Sequence, residues 1–388
     1  MTNAFADAAR LRDRLKTWAT EAAYPLWWDK GADPAGGFFE KLSLEGDPVQ
    51  GPRRGRVLPR QIYSYSVAGD LGWSGPWRKA VEHGLSFYLS NYRRPDGLFR
   101  ALVGPDGASL DDSAALYDQA FAMFAAAAVA RVAPERADAM RALATEVRGK
   151  LIATRKHPQG GFYLTDPPSP PQGSNEHMHL LEACLAWSEI DADPVWRALA
   201  DEIAELTLAK FIQAESGMLR EFFDLDWNPA SGREGRICEP GHQFEWGWLL
   251  LRWGKLAGRA DATAAALRMI EAGETHGINL ENGVAINALL DDFSIDDANA
   301  RLWPQTERIK AAVLAAEITG EDKYWAMAAA GAEGLMAYLR TPVPGVWRDK
   351  MRPDGDFIDE PAPASSFYHI LCAIVEFDRA VSAHPAKA

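Results

Sequence analysis

The chain is predicted to be all-α, an (α/α)6 barrel with short strands in the loops at one mouth. Three observations predict this. A glycine followed by aromatic or aliphatic residues recurs at Gly37, Gly97, Gly161, Gly217, Gly283 and Gly345, in steps of 60, 64, 56, 66 and 62 residues. Near-constant self-similarity marks a repeat architecture. Helical periodicity fills the intervals in pairs, and each glycine signal falls between the two helices of a pair. The steps also exceed the ~34–47 residues usual for open helical solenoids, which favours a closed ring.

Taken in order, the periodicity predicts helices over 4–22, 57–71, 76–92, 113–132, 135–154, 176–190, 193–212, 241–257, 259–276, 303–319, 321–340 and 365–381. The first of them belongs to a mixed-charge amphipathic stretch over 2–21. Pro76, Pro134, Pro194, Pro240 and Pro304 sit at or just ahead of helix starts, where a missing N–H costs nothing. Ser365 or Ser366 can cap the last helix. The proline-rich stretch 166–171 reads as a loop over the mouth. No linker, low-complexity tract or charge block divides the chain, so one catalytic domain over 1–388 is expected.

Bulk composition sets outer limits. Hydrophobic residues at 47% and charged residues at 24% are ordinary for a globular protein. The net charge of -13, from 41 Lys+Arg against 54 Asp+Glu, leaves no basic footprint for nucleic acid or an anionic membrane. It leaves room for a local basic pocket. No apolar run approaches the ~20 residues of a spanning helix and the start lacks a signal-peptide pattern, so the cytoplasm is the expected compartment. Cys184, Cys238 and Cys372 are an odd count, and two lie in apolar helix patterns. They read as buried thiols rather than a disulfide framework.

The chemistry-bearing residues collect where the second helix of each pair begins. These starts hold Arg60-Gln61, Tyr117-Asp118-Gln119, Asn175 with His177 and His179, His242 with Glu245, Trp303-Pro304-Gln305, and Tyr368-His369. The first helices start blandly. If the second helices form the inner ring, all six clusters meet at one mouth. Helix N-termini carry free N–H groups and the positive dipole end, which suit an anion or a transient oxyanion. Imidazoles held there are equipped to move protons on an oxygen-rich substrate.

Each candidate also has a plainer reading. His242 and Glu245, three apart, share a helix face; the carboxylate would fix the imidazole tautomer and raise its pKa, or the two form a salt-linked surface pair. His177 and His179, two apart, point about 200° from each other, so they cannot share one metal. One should face the pocket and the other the interior, and no metal site is expected. His369 is either a core histidine or a catalyst, and its first-turn placement matches the other two starts. Arg60 suits oxyanion, phosphate or sulfonate recognition, whereas Arg53 and Arg54 fit a solvated basic turn. Arg236, in the loop ahead of His242, is a further pocket candidate. Tyr117, Asp118, Trp303 and Gln305 are substrate-pocket candidates or core; the 14 tryptophans suit sugar faces. The pairs Asp111-Asp112, Asp291-Asp292 and Asp296-Asp297 read as loop-shaping or capping groups.

These motifs, in this order and over nearly the whole chain, resemble the N-acylglucosamine 2-epimerase superfamily, which includes mannose isomerases, sugar 2-epimerases and a sulfosugar aldose–ketose isomerase. The resemblance implies metal-free, cofactor-free proton transfer at C2 of an open-chain sugar. It implies that His242 and His369 are the acid/base pair and that Arg60 faces the carbonyl end. It puts Asn175, His179, Glu245 and Trp303 in the substrate pocket, with His179 helping ring opening. Leu302-Trp303-Pro304 departs from the paired tryptophans of 2-epimerases, and 363–369 looks more like the mannose-isomerase branch.

The expectation is therefore a D-mannose/D-fructose isomerase with a monosaccharide as its partner and neither nucleic acid nor membrane; a homodimer stays open. A 2-epimerase acting on glucose/mannose or an N-acylhexosamine is the alternative. An inverting glycoside hydrolase, which needs two opposed carboxylates, and a non-catalytic binding protein are more remote.

Overall fold

The computed structural model describes residues 4–384. Positions 2 and 3 of the expected first amphipathic stretch, and 1–3 and 385–388 of the expected domain, lie outside the described residues. Helix α1 (Ala4–Trp18) runs through a π-helical turn into α2 (Tyr24–Asp29). Then follow α3 (Val57–Ser66), α4 (Trp77–Asn91), α5 (Leu116–Val132) and α6 (Ala137–Arg155). Next come α7 (Ser174–Ser188), α8 (Pro194–Leu206), α9 (Pro240–Ala257) and α10 (Ala260–His276). The series ends with α11 (Leu302–Thr319), α12 (Asp322–Tyr338) and α13 (Ser365–Ala383). The helix expected over 57–71 stops at Ser66, and the one expected over 193–212 ends in a π-helical turn from Thr207.

The fold is an (α/α)6 barrel. Helices α3, α5, α7, α9, α11 and α13 pack each on the next, and α13 returns to α3. They are buried around nearly their whole circumference. In α9 burial runs unbroken from Pro240 to Leu251. The outer helices bury one face only, as α1 does with Ala8, Leu11 and Leu15. Each outer helix from α4 to α12 packs on the inner helix that precedes it, so the tight hairpins run inner to outer, as at Ala257 to Ala260. The first outer helix, α1, then has no earlier partner and docks on α12 and α13, closing the ring. Arg12 and Lys16 of α1 clasp Asp378 of α13 at 2.7 and 2.8 Å.

The glycine-marked loops join an outer helix to the next inner one and lie together at the mouth. They carry twelve short strands in four antiparallel sheets among the described residues. The order β12-β1-β2, with Lys41 (β1, Lys41–Leu42) opposite both Pro363 (β12, Ala362–Pro363) and Val49 (β2, Pro48–Val49), ties the last loop to the first. The longest strands, β9 (Ile286–Leu290) and β10 (Ile295–Arg301), form a hairpin ahead of α11.

All six repeat glycines have positive φ, from 70° to 103°, a conformation glycine adopts without steric cost. Five of them are followed by a single β-bridge back to the end of the preceding outer helix, as in Arg93 with Phe99 and Ile278 with Ala285, whereas at Gly345 the bridge is local, between Pro344 and Val346. Inner-helix amides then lock this turn. Gln119 bonds both backbone groups of Phe99, Gln243 those of Leu219, and Gln305 those of Ala285, at 2.8–3.1 Å.

The three cysteines are free and buried. No helix among the described residues is long and apolar enough to cross a membrane.

Candidate active site

The N-termini of all six inner helices open on one cavity of about 230 Å³, lined almost wholly by polar side chains. Each inner helix contributes from its first turns: Arg60 from α3, Tyr117 from α5, Asn175 and His179 from α7, His242 and Glu245 from α9, Trp303 from α11, and Ser365, Ser366 and His369 from α13. Arg54, Arg56, Glu239 and Arg301 enter from the mouth loops.

The Trp303 indole neighbours two imidazoles, 5.0 Å from the His242 ring centre and 5.7 Å from that of His369. It reaches His242 because residue 241 is glycine: a Cβ there would come within 2.4 Å of the indole. The two imidazoles are held in opposite states. His242 pairs through Nδ1 with Glu221 at 2.8 Å, and Glu239 is 3.7 Å away. Burial alone would lower its pKa; the two carboxylates overcome that and push it up to about 10, so it is an imidazolium at neutral pH. His369 pairs through Nδ1 with Glu307 at 2.8 Å. There burial, the Arg60 guanidinium and the Lys310 ammonium hold the imidazole neutral, well below its ordinary value.

Arg60 is nearly buried. Its guanidinium donates to the Tyr117 hydroxyl at 2.6 Å and lies 4.4 Å from the Phe121 ring centre, while its Nε has no partner. His179 faces Tyr117 and shares a 3.3 Å contact with Glu182, and burial lowers its pKa to about 4. Glu182 also accepts the Tyr368 hydroxyl at 2.5 Å. His177 points the other way: it accepts the Phe162 N–H at 3.0 Å and contacts the Gly173 carbonyl at 3.0 Å. One histidine of that pair faces the cavity and the other braces a repeat turn.

Glu245 is on the cavity but does not hold His242. Both its oxygens lack hydrogen-bond partners, and burial together with Glu307 raises it to about 8, so it is a neutral acid at pH 7. The carboxylate that fixes His242 is Glu221, which sequence reasoning missed. A signal existed, because acidic residues stand three or four positions past three repeat glycines, at Glu40, Glu221 and Asp349. All three serve the mouth: Glu40 pairs with Arg54, Glu221 with His242, and Asp349 accepts the Ser366 hydroxyl at 2.9 Å. Glu307 and Lys310, on α11, were also missed.

Three expected pocket residues lie off the cavity. Gln305 is fully buried and spends its amide on the Ala285 turn, the role Gln119 and Gln243 play in their repeats. Arg236 is about two-fifths exposed and bound by Asp291 and Asp292 at 2.9 and 2.7 Å. Asp118 is buried behind Tyr117, facing Arg56 at 3.9 Å, and burial raises its pKa to about 7. The expected solvated turn is a further correction. Arg53 is buried and ion-paired with Asp33, and Arg54 lines the cavity. The aspartate pairs shape loops as expected: Asp291 and Asp292 hold Arg236, Asp296 holds Arg233, and Asp111 accepts the Ser113 N–H.

Among the described residues two sets are compact enough to hold a metal ion: His179 with Glu182 and Glu245, and Glu245 with Glu307 and His369, each with ligand atoms within 4.8 Å of one another. A cation of the protein's own, the Lys310 ammonium, already stands 2.6 Å from Glu307 and 3.9 Å from Glu245.

The model of one family, N-acylglucosamine 2-epimerase, matches residues 37–373, and the chain belongs to that family. It is accordingly an enzyme of the sugar isomerase and epimerase class. It is 50% identical over 370 residues, 94% of this chain and 96% of the relative, to a mannose-6-phosphate isomerase of Rhizobium meliloti (strain 1021). Among solved structures, a cellobiose 2-epimerase from Spirochaeta thermophila DSM 6192 superposes with a TM-score of 0.87 at 23% identity, covering 98% of this chain and 99% of that one. A D-mannose isomerase gives 0.86 at 19% identity, covering 96% and 97%.

Proposed function

We propose that this protein is an aldose–ketose isomerase that interconverts mannose- and fructose-configured sugars through a cis-enediolate, with the whole chain acting as one catalytic domain. One observation carries the reading: two imidazoles neighbour the same indole, one neutral and one charged. Pairs of titratable groups driven apart in this way identify a base and an acid.

In the proposed sequence His179 assists ring opening, and the open-chain aldehyde oxygen turns toward Arg60. Neutral His369 removes the C2 proton, and the C2–H electrons form the C1–C2 double bond as the carbonyl electrons move onto oxygen. Arg60 and the His242 imidazolium stabilise the resulting enediolate. His369 then delivers its proton to C1 while the C2 hydroxyl proton passes to O1, so that C2–O becomes the carbonyl of the ketose. Trp303 offers a flat face for the carbon chain, and Asn175 and the Glu245 carboxylic acid bind hydroxyl groups. No step calls for a metal ion, since the Lys310 ammonium supplies the counter-charge to Glu307. Activity is expected to survive a chelator.

A finer substrate assignment rests on the arginines. Among the described residues Arg56 has no close ion-pair partner, only the 3.9 Å approach to Asp118, and rides over the Tyr117 ring. Arg301 has only a 3.4 Å contact with Asp349, and its Nε is unpartnered. Unspent guanidinium donors on a cavity wall suit a phosphate better than a sugar hydroxyl. The name of the 50% identical relative supports the same substrate. We therefore assign mannose 6-phosphate as the preferred aldose.

The test is a panel of mannose, glucose and their 6-phosphates, with products resolved as ketose or epimer. The reading predicts fructose 6-phosphate from mannose 6-phosphate, with kcat/KM at least about tenfold above free mannose, equivalent to about 1.4 kcal/mol. Substituting R56Q or R301Q should lower that preference. Preference for free mannose would overturn the phosphate assignment, and glucose-configured products alone would make the enzyme a 2-epimerase.

A further inference from the structure

Beneath the cavity floor lies a layer of buried ionisable groups, of which the proposed reaction uses only Glu245 directly. Three neighbouring inner helices each send in a carboxylate: Glu182 from α7, Glu245 from α9 and Glu307 from α11, none more than 1% exposed. At their centre is Lys310, fully buried, one turn along α11 from Glu307. Its ammonium stands 2.6 Å from Glu307, 3.9 Å from Glu245 and 3.9 Å from the centre of the Trp248 ring. A lysine is almost never wholly buried unless paired. Taking an ammonium out of water costs several kcal/mol, so this one is retained against a real penalty.

Glu307 works in two directions. One oxygen contacts His369 Nδ1 at 2.8 Å and accepts the Thr306 hydroxyl at 3.2 Å; the other faces Lys310. A carboxylate held only by an imidazole would draw a proton onto that ring. A carboxylate already neutralised by an ammonium has less pull and a fixed position.

We propose that Lys310 is a positioning residue: by clamping the far oxygen of Glu307, it fixes the carboxylate that orients His369 and decides how strongly that imidazole holds a proton. The inference rests on His369 being the base of the proposed reaction, but the contact itself does not. The charged and titratable groups around His369 come from every side. Arg60 faces it from α3 and Glu307 and Lys310 from α11, with His179 and Glu182 on α7 and Glu245 on α9 across the floor. Arg60 and Lys310 both disfavour the imidazolium. Losing Lys310 should therefore raise the His369 pKa.

The experiment is an NMR titration of histidine-labelled enzyme, with the His369 signal assigned by its loss in H369N. The variants are K310Q, which keeps an amide donor for Glu307 without the charge, and K310R, which keeps the charge. In K310Q the His369 midpoint should rise by at least one pH unit, and the acid limb of kcat/KM should move up with it. K310R should stay closer to wild type in both. Should K310Q fail to fold, the same titration is read on K310Q in an E182Q–E245Q background, where one carboxylate faces the lost ammonium. A K310Q midpoint within about 0.2 of wild type, with only the Tm or kcat lowered across all pH, would overturn the proposal. A shifted midpoint in an enzyme whose acid limb does not follow would uphold the Lys310 contact and remove His369 as the base.

Discussion

The α9 and α13 sides of the cavity begin from one design and end in opposite states. Each presents a histidine near the start of a buried inner helix, paired through Nδ1 with a glutamate at 2.8 Å, and each packs toward Trp303. On the α9 side the next charge is negative, Glu239. On the α13 side they are positive, Arg60 and Lys310. A glutamate at 2.8 Å therefore does not decide the imidazole's charge by itself; the charges of the next layer tip it. The same helix start can thus yield an acid on one wall and a base on the other.

Removing the base should break this comparison most severely. H369N is expected to lower kcat by about 10³-fold or more, within reach of general acid–base catalysis plus lost orientation, and to abolish deuterium uptake from solvent into the sugar. R60Q should cost about 10²–10³-fold in kcat, as expected for losing a donor to a developing oxyanion. H242N should fall in a similar range, with the bound sugar still exchanging its C2 proton slowly through His369.

E221Q sharpens the comparison instead. It takes away the larger of the two charges that raise His242, so the alkaline limb of kcat, expected near pH 10 in the wild type, should move down. Stability should follow the same sign. A folded pKa of about 10 against an unfolded value of about 6.5 means that His242 contributes fully below pH 6.5 and that the contribution fades as pH rises toward 10. The Tm gap between wild type and E221Q should therefore narrow over that interval. The smallest catalytic effect is expected from Q305A. It strips a buried turn of its amide partners, costing about 1–3 kcal/mol, while KM stays within about twofold.

The sequence made the helix pairs and the mouth legible because hydrophobic period and glycine spacing are local signals. It also separated His179 from His177 correctly, since helical geometry alone forces them apart. What it hid were partners that only the closed ring brings near. Glu221 lies on a loop 21 residues from His242, and Lys310 looks like an ordinary helix lysine until α7, α9 and α11 close around it. Gln305 misled for the converse reason: it shares the polar helix start with Trp303, but faces back to its own turn. Arg53 and Arg54 looked solvent-bound because Asp33 and Glu40, their partners, lie 20 and 14 residues earlier, in the loop between α2 and β1.

The opposition between the two walls is tested most directly by the imidazole ¹⁵N spectrum of the resting enzyme at pH 7.5. The account predicts one doubly protonated ring, lost in H242N, and a neutral ring, lost in H369N. Two neutral imidazoles, or an imidazolium that disappears with His369, would contradict it.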